Sequence, residues 1–211
     1  MTSRLAGGSL THGGLTEPSR WVRRWAHLIA PGGAVLDVAA GSGRHARWLA
    51  GQGHPVTALD RDAAALATLH DVAGVATWVC DLEDAPWPLA TDARFAGVVV
   101  TNYLHRPLMP CLIDALAPGA VLIYETFAQG NETVGKPSNP AFLLAPGELL
   151  AVCTPALRVI AYQDGFLSRP REAYIQRICA VREKSTSLSL ERAGNVPENQ
   201  VLPVPRYDLT G

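Results

Sequence analysis

A chain of 211 residues with 48% apolar side chains is long enough for one well-cored domain and too short for two ordinary ones. Its formal charge of −1 excludes a general field attraction to nucleic acid or to an anionic membrane. Residues 1–15 lack an apolar core of secretory length and no apolar run approaches the ~18 residues of a membrane span, so a cytoplasmic protein without membrane contact is expected.

Taken in order, residues 1–17 carry the pairs Gly7-Gly8 and Gly13-Gly14 and are expected to be a flexible lead segment. From Pro18 or Ser19 to Ile29 the pattern is helical, with Trp21, Trp25 and Leu28 on one face, and Pro31-Gly32-Gly33 stops it. That aromatic face reads as packing against a sheet rather than as a stacking platform for ligand. Ala34 to Val38 is a short apolar run of the buried parallel kind. A helix over 44–51, a strand over 55–59 ending at Asp60, a helix over 62–70 capped by Asp62 and a strand over 76–80 ending at Asp81 follow. A strand over 95–100, a helix over 107–117 halted by Pro118-Gly119 and a strand over 121–127 continue the alternation.

Residues 128–147 are rich in Gly, Pro and polar side chains, long for an idle loop and suited to a lid. After a helix over 146–152, two strand-like runs, 157–166 and 173–182, joined by a tight polar turn, should pair antiparallel. Strands separated by helices imply right-handed crossovers and hence a doubly wound, mostly parallel α/β sheet over residues 18–183. Residues 184–211 are Ser-, Pro- and Asn-rich and are expected to be a disordered tail.

The four cysteines show no C-x-x-C pair and no histidine at ligand spacing, so they read as buried thiols and no metal site is expected. Sixteen of the eighteen basic residues are arginine, and Arg20, Arg23, Arg24, Arg44 and Arg47 cluster in sequence. Such a group is either a solvated helix face or a docking surface for RNA or protein.

A parallel sheet binds ligands beyond the carboxyl ends of its strands. Three informative spots lie there: the glycine turn Asp37-Val-Ala-Ala-Gly41-Ser-Gly43, then Asp60, then Asp81-Leu82. Glycines let backbone approach a ligand, Asp60 is placed to accept from two ribose hydroxyls, and Asp81 with Leu82 can bracket an adenine. A dinucleotide site is the rival, since Gly41-Ser-Gly43-Arg-His-Ala46 fits G-x-G-x-x-A with an acid about twenty residues on. Asp37 counts against it, because a pyrophosphate there would add like charge. A cofactor carrying an ammonium tolerates that carboxylate better, and the terminal antiparallel pair is foreign to a dinucleotide half-domain.

Val35-Leu-Asp-Val-Ala-Ala-Gly-Ser-Gly-Arg-His-Ala resembles the first motif of the class I S-adenosylmethionine-dependent methyltransferases. Ala58-Leu-Asp60-Arg-Asp62 is similar to their second and Cys80-Asp81-Leu82-Glu83 to their third, and Val99 to Arg106 occupies the place of the fourth. The match covers roughly residues 18 to 183, with one departure: Ala39 stands where the first motif usually has its first glycine. The resemblance implies a Rossmann-like seven-stranded sheet, mostly parallel with an antiparallel seventh strand, and methyl transfer from S-adenosylmethionine to leave S-adenosylhomocysteine. It implies Asp37, Gly41 and Gly43 at the methionine end, Asp60 at the ribose, and Asp81 with Leu82 at the adenine. Ala39, Arg61, Thr101 and Asn102 complete the expected cofactor-binding set.

Methyl transfer from a sulfonium needs alignment and exclusion of water more than a fixed catalytic group. Expected acceptor-side residues follow the fourth and fifth strands: His105 as base, Glu125 and Tyr103 as further catalytic groups, Arg106 and Tyr124 as substrate contacts. Asn102 lacks the Pro-Pro-aromatic continuation of amino-group methyltransferases acting on bases or glutamine, which argues against a planar nitrogen acceptor. A small-molecule acceptor is expected, with RNA or protein methylation through the arginine face as the alternative.

Overall fold

The computed structural model describes residues 17–184 and 206–210; the expected flexible lead segment, apart from Glu17, and most of the expected tail lie outside them. The short apolar runs form seven strands: β1 Val35–Val38, β2 Val56–Asp60, β3 Val75–Val79, β4 Phe95–Thr101, β5 Leu116–Phe127, β6 Arg158–Leu167 and β7 Ala173–Val181. They pair in the order β3-β2-β1-β4-β5-β7-β6. Neighbours among β1 to β5 are parallel, and β7 runs antiparallel to both β5 and β6. The doubly wound, seven-stranded α/β sheet with a reversed seventh strand is borne out.

Helices α1 Arg20–Trp25, α2 Arg44–Gly51 and α3 Ala63–Ala67 cover one face, where Trp21, Trp25, Ala46, Leu49 and Leu66 pack on Val35, Val56, Val99 and Ile123. Helices α4 Met109–Asp114 and α5 Glu148–Cys153 cover the other, with Met109, Leu112, Leu149 and Cys153 on Leu36, Val98, Leu122 and Ile178. The central strands are therefore apolar on both sides, which is why they read as unbroken apolar runs. Ser19 Oγ accepts from the Trp21 amide at 3.0 Å to cap α1, and Asp62 Oδ1 accepts from the Ala65 amide at 3.0 Å to cap α3. Trp21 and Trp25 are buried edge to face 5.6 Å apart, and Trp21 Nε1 donates to the Ile178 carbonyl, so the aromatic face packs on the sheet.

Some expectations shift. The helix expected to reach 117 ends at Asp114, because Leu116 already pairs with Phe95 and opens β5, which slips register before resuming at Val121. The described end of the tail, residues 206–210, is docked rather than loose. His27 Nε2 lies 3.0 Å from the Asp208 carbonyl, and Tyr207, the one large aromatic of that segment, packs on the α1-side core beneath Arg158. Residues 128–147 are pinned: Leu144 donates to the Phe127 carbonyl, and buried Asn131 accepts from the Tyr174 amide and donates to the Pro137 carbonyl. Cys153 and Cys179 are buried free thiols, whereas Cys80 and Cys111 are half-exposed. Among the described residues no helix is long and apolar enough to cross a membrane, and no group of three His, Cys, Asp or Glu is placed to hold a metal.

Candidate active site

The strand order reverses between β1 and β4, and the glycine turn sits at that switch point, at the carboxyl end of β1. Ala39, Gly41 and Gly43 all take positive φ, 54°, 57° and 75°, which folds the chain back sharply into α2. The two glycines serve different ends. A Cβ on Gly41 would meet nothing within 4 Å, whereas one on Gly43 would lie 2.4 Å from Leu69 Cδ1. Gly41 thus leaves one side of the turn open, and Gly43 is required by packing.

Three carboxylates stand around this turn. Asp60 Oδ2 accepts from the Gly41 amide at 2.7 Å and Oδ1 from the Asp62 amide at 2.8 Å, which fixes the carboxylate while each oxygen keeps a lone pair. Asp81 Oδ1 accepts from the Glu83 amide at 2.9 Å, and Arg61 stands 3.9 Å from its other oxygen. Asp37 is 1% exposed and its Oδ2 has no partner. Burial pushes its carboxyl up to about 7, opposed by the Ala46 amide and Arg44 and reinforced by Asp60. Asp60 and Asp81 also both bear on Cys80 and Tyr103, and Asp60 bears on Asp37, so the three acids stand together.

Beside this acidic rim lies a polar row. Register sets Thr101 opposite Glu125, Glu125 opposite Arg177, and Arg177 opposite Gln163, across β4, β5, β7 and β6. Two residues deeper on the same face the row is Val99, Ile123, Cys179 and Ala161, all apolar. Glu125 accepts from Ser19 Oγ at 2.7 Å and pairs with Arg177 at 3.3 Å, both side chains less than a fifth exposed. Arg177 also donates to Gln163 Oε1 at 2.7 Å and lies over the Trp21 ring. Arg44, opening α2, reaches Thr101 Oγ1 at 3.5 Å. His45 is 2% exposed, and its Nε2 accepts from the Ser19 amide at 3.1 Å. Burial, helped by Arg44, pushes this imidazole down to about 3, so it stays neutral.

Residues 35–119 match the methyltransferase domain family. A search of curated protein sequences finds no match. Among solved structures the fold is similar to TehB from Haemophilus influenzae, with a TM-score of 0.60 and 21% identity over 75% of this chain and 60% of that one. The chain thus spans less than two thirds of TehB. It is similar as well to a SAM-dependent methyltransferase from Methanosarcina mazei, with a TM-score of 0.61 and 15% identity over 80% of this chain and 99% of that one. The glycopeptide N-methyltransferase MtfA complexed with S-adenosylhomocysteine gives a TM-score of 0.55 and 19% identity over 76% of this chain and 88% of that one. The fold is the one these methyltransferases share, and the matched stretch, residues 35–119, runs from β1 into β5.

Several side chains expected at the site are committed elsewhere. Tyr124 alternates onto the face opposite Glu125, is 1% exposed, and donates its hydroxyl to the Tyr103 carbonyl at 2.8 Å, so it cannot touch an acceptor. Arg106 grips Glu148 through two hydrogen bonds of 2.6 and 2.9 Å and donates to the Ala141 and Leu143 carbonyls, so its guanidinium clamps a loop instead of waiting for substrate. Leu82 is 6% exposed and belongs to the core on the α4 and α5 face. Tyr103 lies on the side of the acidic carboxylates, near Glu83, Asp81, Arg61 and Asp60, with its hydroxyl buried and unpartnered. His105 is half-buried, precedes a 3-10 turn at Arg106–Leu108, and is not joined to the Glu125 network. Asn102 adopts φ 56° and donates its amide to the Glu125 carbonyl. A cavity of about 530 Å³ between α4 and α5, lined by Met109, Ile113 and Val152 among others, shares only Arg106 with the expected residues. Ser19, Arg44, His45 and Arg177 were not among the residues expected from sequence.

Proposed function

We propose that this domain transfers the methyl group of S-adenosylmethionine to a small-molecule acceptor, leaving S-adenosylhomocysteine. The observation that carries the reading is the buried, unpartnered oxygen of Asp37 beside an open glycine turn and two further strand-tip carboxylates. An isolated buried carboxylate is costly, and an ammonium group is the partner that offsets it. The donor's amino-acid end supplies that ammonium, and the two lone pairs left on Asp60 suit a ribose diol. Asp81 and the Tyr103 hydroxyl are the polar groups available to the adenine end. The sulfonium supplies a methyl carbon already activated for displacement. The chain's own residues bind, align and keep water out.

A small acceptor is favoured over a macromolecular one by what becomes of the arginine group. Arg44 turns inward to Thr101, and Arg47, exposed on α2, is tied to the Thr68 carbonyl, which leaves Arg20, Arg23 and Arg24 as the exposed group on α1. Arg24 in turn lies over Trp25 and donates to the Leu209 carbonyl. Three arginines on one turn of helix are an ordinary solvated face. Calorimetry with S-adenosylhomocysteine and, separately, NAD tests the reading: binding of the first and not the second is expected, and the reverse would end it.

A further inference from the structure

We propose that the acceptor is an anion, a carboxylate or an inorganic oxyanion, held by Arg44, Arg171 and Arg177 at the carboxyl ends of β4 and β5. This rests on the methyltransferase reading and adds the charge class of its substrate.

The polar row of Thr101, Glu125, Arg177 and Gln163 replaces an apolar layer at the level where the strands open to ligand, and no packing requirement explains four polar side chains in register there. Its charges do not balance. Among the described residues Glu125 is the one carboxylate bonded to the row; Arg177 pairs with it at 3.3 Å, Arg44 reaches Thr101 beside it, and Arg171, exposed, lies over the Phe127 ring at the end of β5. Asp37, the other acid near Arg44, is the carboxylate that the donor's ammonium takes up on the reading above. Two partly buried guanidiniums, Arg44 and Arg177, gathered at one carboxylate are unfavourable unless a further anion joins them, and exposed Arg171 stands at the rim where it would enter. Donors remain for it: Arg177 spends Nε on Gln163 and Nη1 on Glu125, which leaves Nη2 with two N–H groups. Trp21 and Gln163 hold that guanidinium in place.

Arg44 also joins this pocket to the donor. It is the first residue of the helix that follows the glycine turn, and both Asp37 and Glu125 bear on it. An anionic acceptor needs no base, which agrees with a buried, neutral His45 whose Nε2 is already occupied by the Ser19 amide. In the transfer, the attacking anion forms a bond to the methyl carbon as the carbon–sulfur bond breaks. Sulfur keeps that electron pair and becomes a neutral thioether, the acceptor loses its negative charge, and no proton moves.

The test starts from the full chain with S-adenosylhomocysteine bound, measured by calorimetry; failure of that binding would remove the methyltransferase reading and this proposal with it, whereas binding with no preference for an anion would remove this proposal alone. Benzoate, inorganic phosphate and neutral benzamide are then titrated into the complex at low salt. At least one anion should bind tenfold or more tightly than benzamide. Arg171→Gln, at an exposed position, and Arg177→Gln should each weaken that anion fivefold or more while S-adenosylhomocysteine affinity moves less than threefold, with unchanged melting curves as the check on folding. Anions bound no better than benzamide would overturn the proposal, and so would arginine variants that lose the cofactor product as strongly as the anion. Independently, metabolite extract is split on an anion exchanger and each fraction assayed for methyl incorporation from labelled donor. Acceptor activity should be retained on the resin, and activity confined to the flow-through overturns the proposal. Release of label by alkaline hydroxylamine marks a carboxylate acceptor, and resistance marks an oxyanion.

Discussion

Replacing Asp37 by Asn should stabilise the fold and weaken the cofactor site at once, with a pH signature that identifies the cause. Burial raises the Asp37 carboxyl from 3.8 to about 7. Between those values the folded chain holds a proton that the unfolded chain has lost, so stability falls as pH rises through this window, and the full cost is reached above pH 7. At about 1.36 kcal/mol per unit, the whole shift corresponds to about 4 kcal/mol, and the part between pH 5 and 7 to about 3 kcal/mol. Asn keeps the shape and has no charge to bury. The stability advantage of Asp37→Asn over the native chain should therefore grow by up to about 3 kcal/mol between pH 5 and pH 8. In a domain of this size that is about 6–12 °C in melting temperature. Urea unfolding at the two pH values measures it. A stability difference that is the same at both would refute the claim that Asp37 is buried as an uncompensated acid. S-adenosylhomocysteine should bind Asp37→Asn at least tenfold more weakly at pH 8, since its ammonium loses the carboxylate that the fold holds at a cost.

Asp60→Ala should weaken S-adenosylhomocysteine by about 1–3 kcal/mol in calorimetry, the scale of lost hydrogen bonds to a charged group, and unchanged affinity in a folded variant would remove the ribose assignment. Ala39→Gly should raise the melting temperature by about 2–4 °C, because a left-handed alanine at φ 54° costs about 1 kcal/mol that glycine relieves. Gly41→Ala should fold and lose cofactor affinity, whereas Gly43→Ala should lower stability by at least about 2 kcal/mol, since its methyl would strike Leu69. Equal effects of the two on unfolding would show that the turn has no open side.

The acidic rim was legible because each element of it is local. A parallel strand of this sheet is a short, mainly apolar run, buried in β1 and β2 and half exposed in the edge strand β3, and the acid at or just past its end marks the carboxyl tip, so Asp60 and Asp81 announce their positions along with the glycine turn. The basic side was harder to read because it is assembled across the chain. Ser19 reaches Glu125 over 106 residues, and Arg177 reaches it over 52. Glu125 is a charge in an otherwise apolar strand, and Arg177 offers the same signal in β7. Pairing the two required the register of an antiparallel ladder, which hydrophobic pattern alone does not set for two strands apolar on both faces. Tyr124 was misplaced for a related reason: next to Glu125 in sequence, it points to the opposite face. Arg106 was misread because its partner Glu148 comes from the far end of a long loop, and position at a strand end looks the same for a clamp as for a substrate contact.

The sheet is thus divided, with carboxylates at the tips of β1 to β3 and guanidiniums gathered over β4, β5 and β7, and this division fixes what the arginines can do for the rate. A cationic donor and an anionic acceptor neutralise each other as the methyl moves, so the charge each half of the site holds is largest before reaction and smaller in the transition state. Interactions strongest with the ground state tighten binding without lowering the chemical barrier, which is left to proximity and alignment. Arg177→Gln should therefore raise the acceptor KM tenfold or more and leave kcat within about threefold, and added salt should shift KM of the native chain in the same direction. A fall in kcat of tenfold or more at unchanged KM would mean that Arg177 orients the nucleophile in the transition state, and the electrostatic account of this row would be wrong.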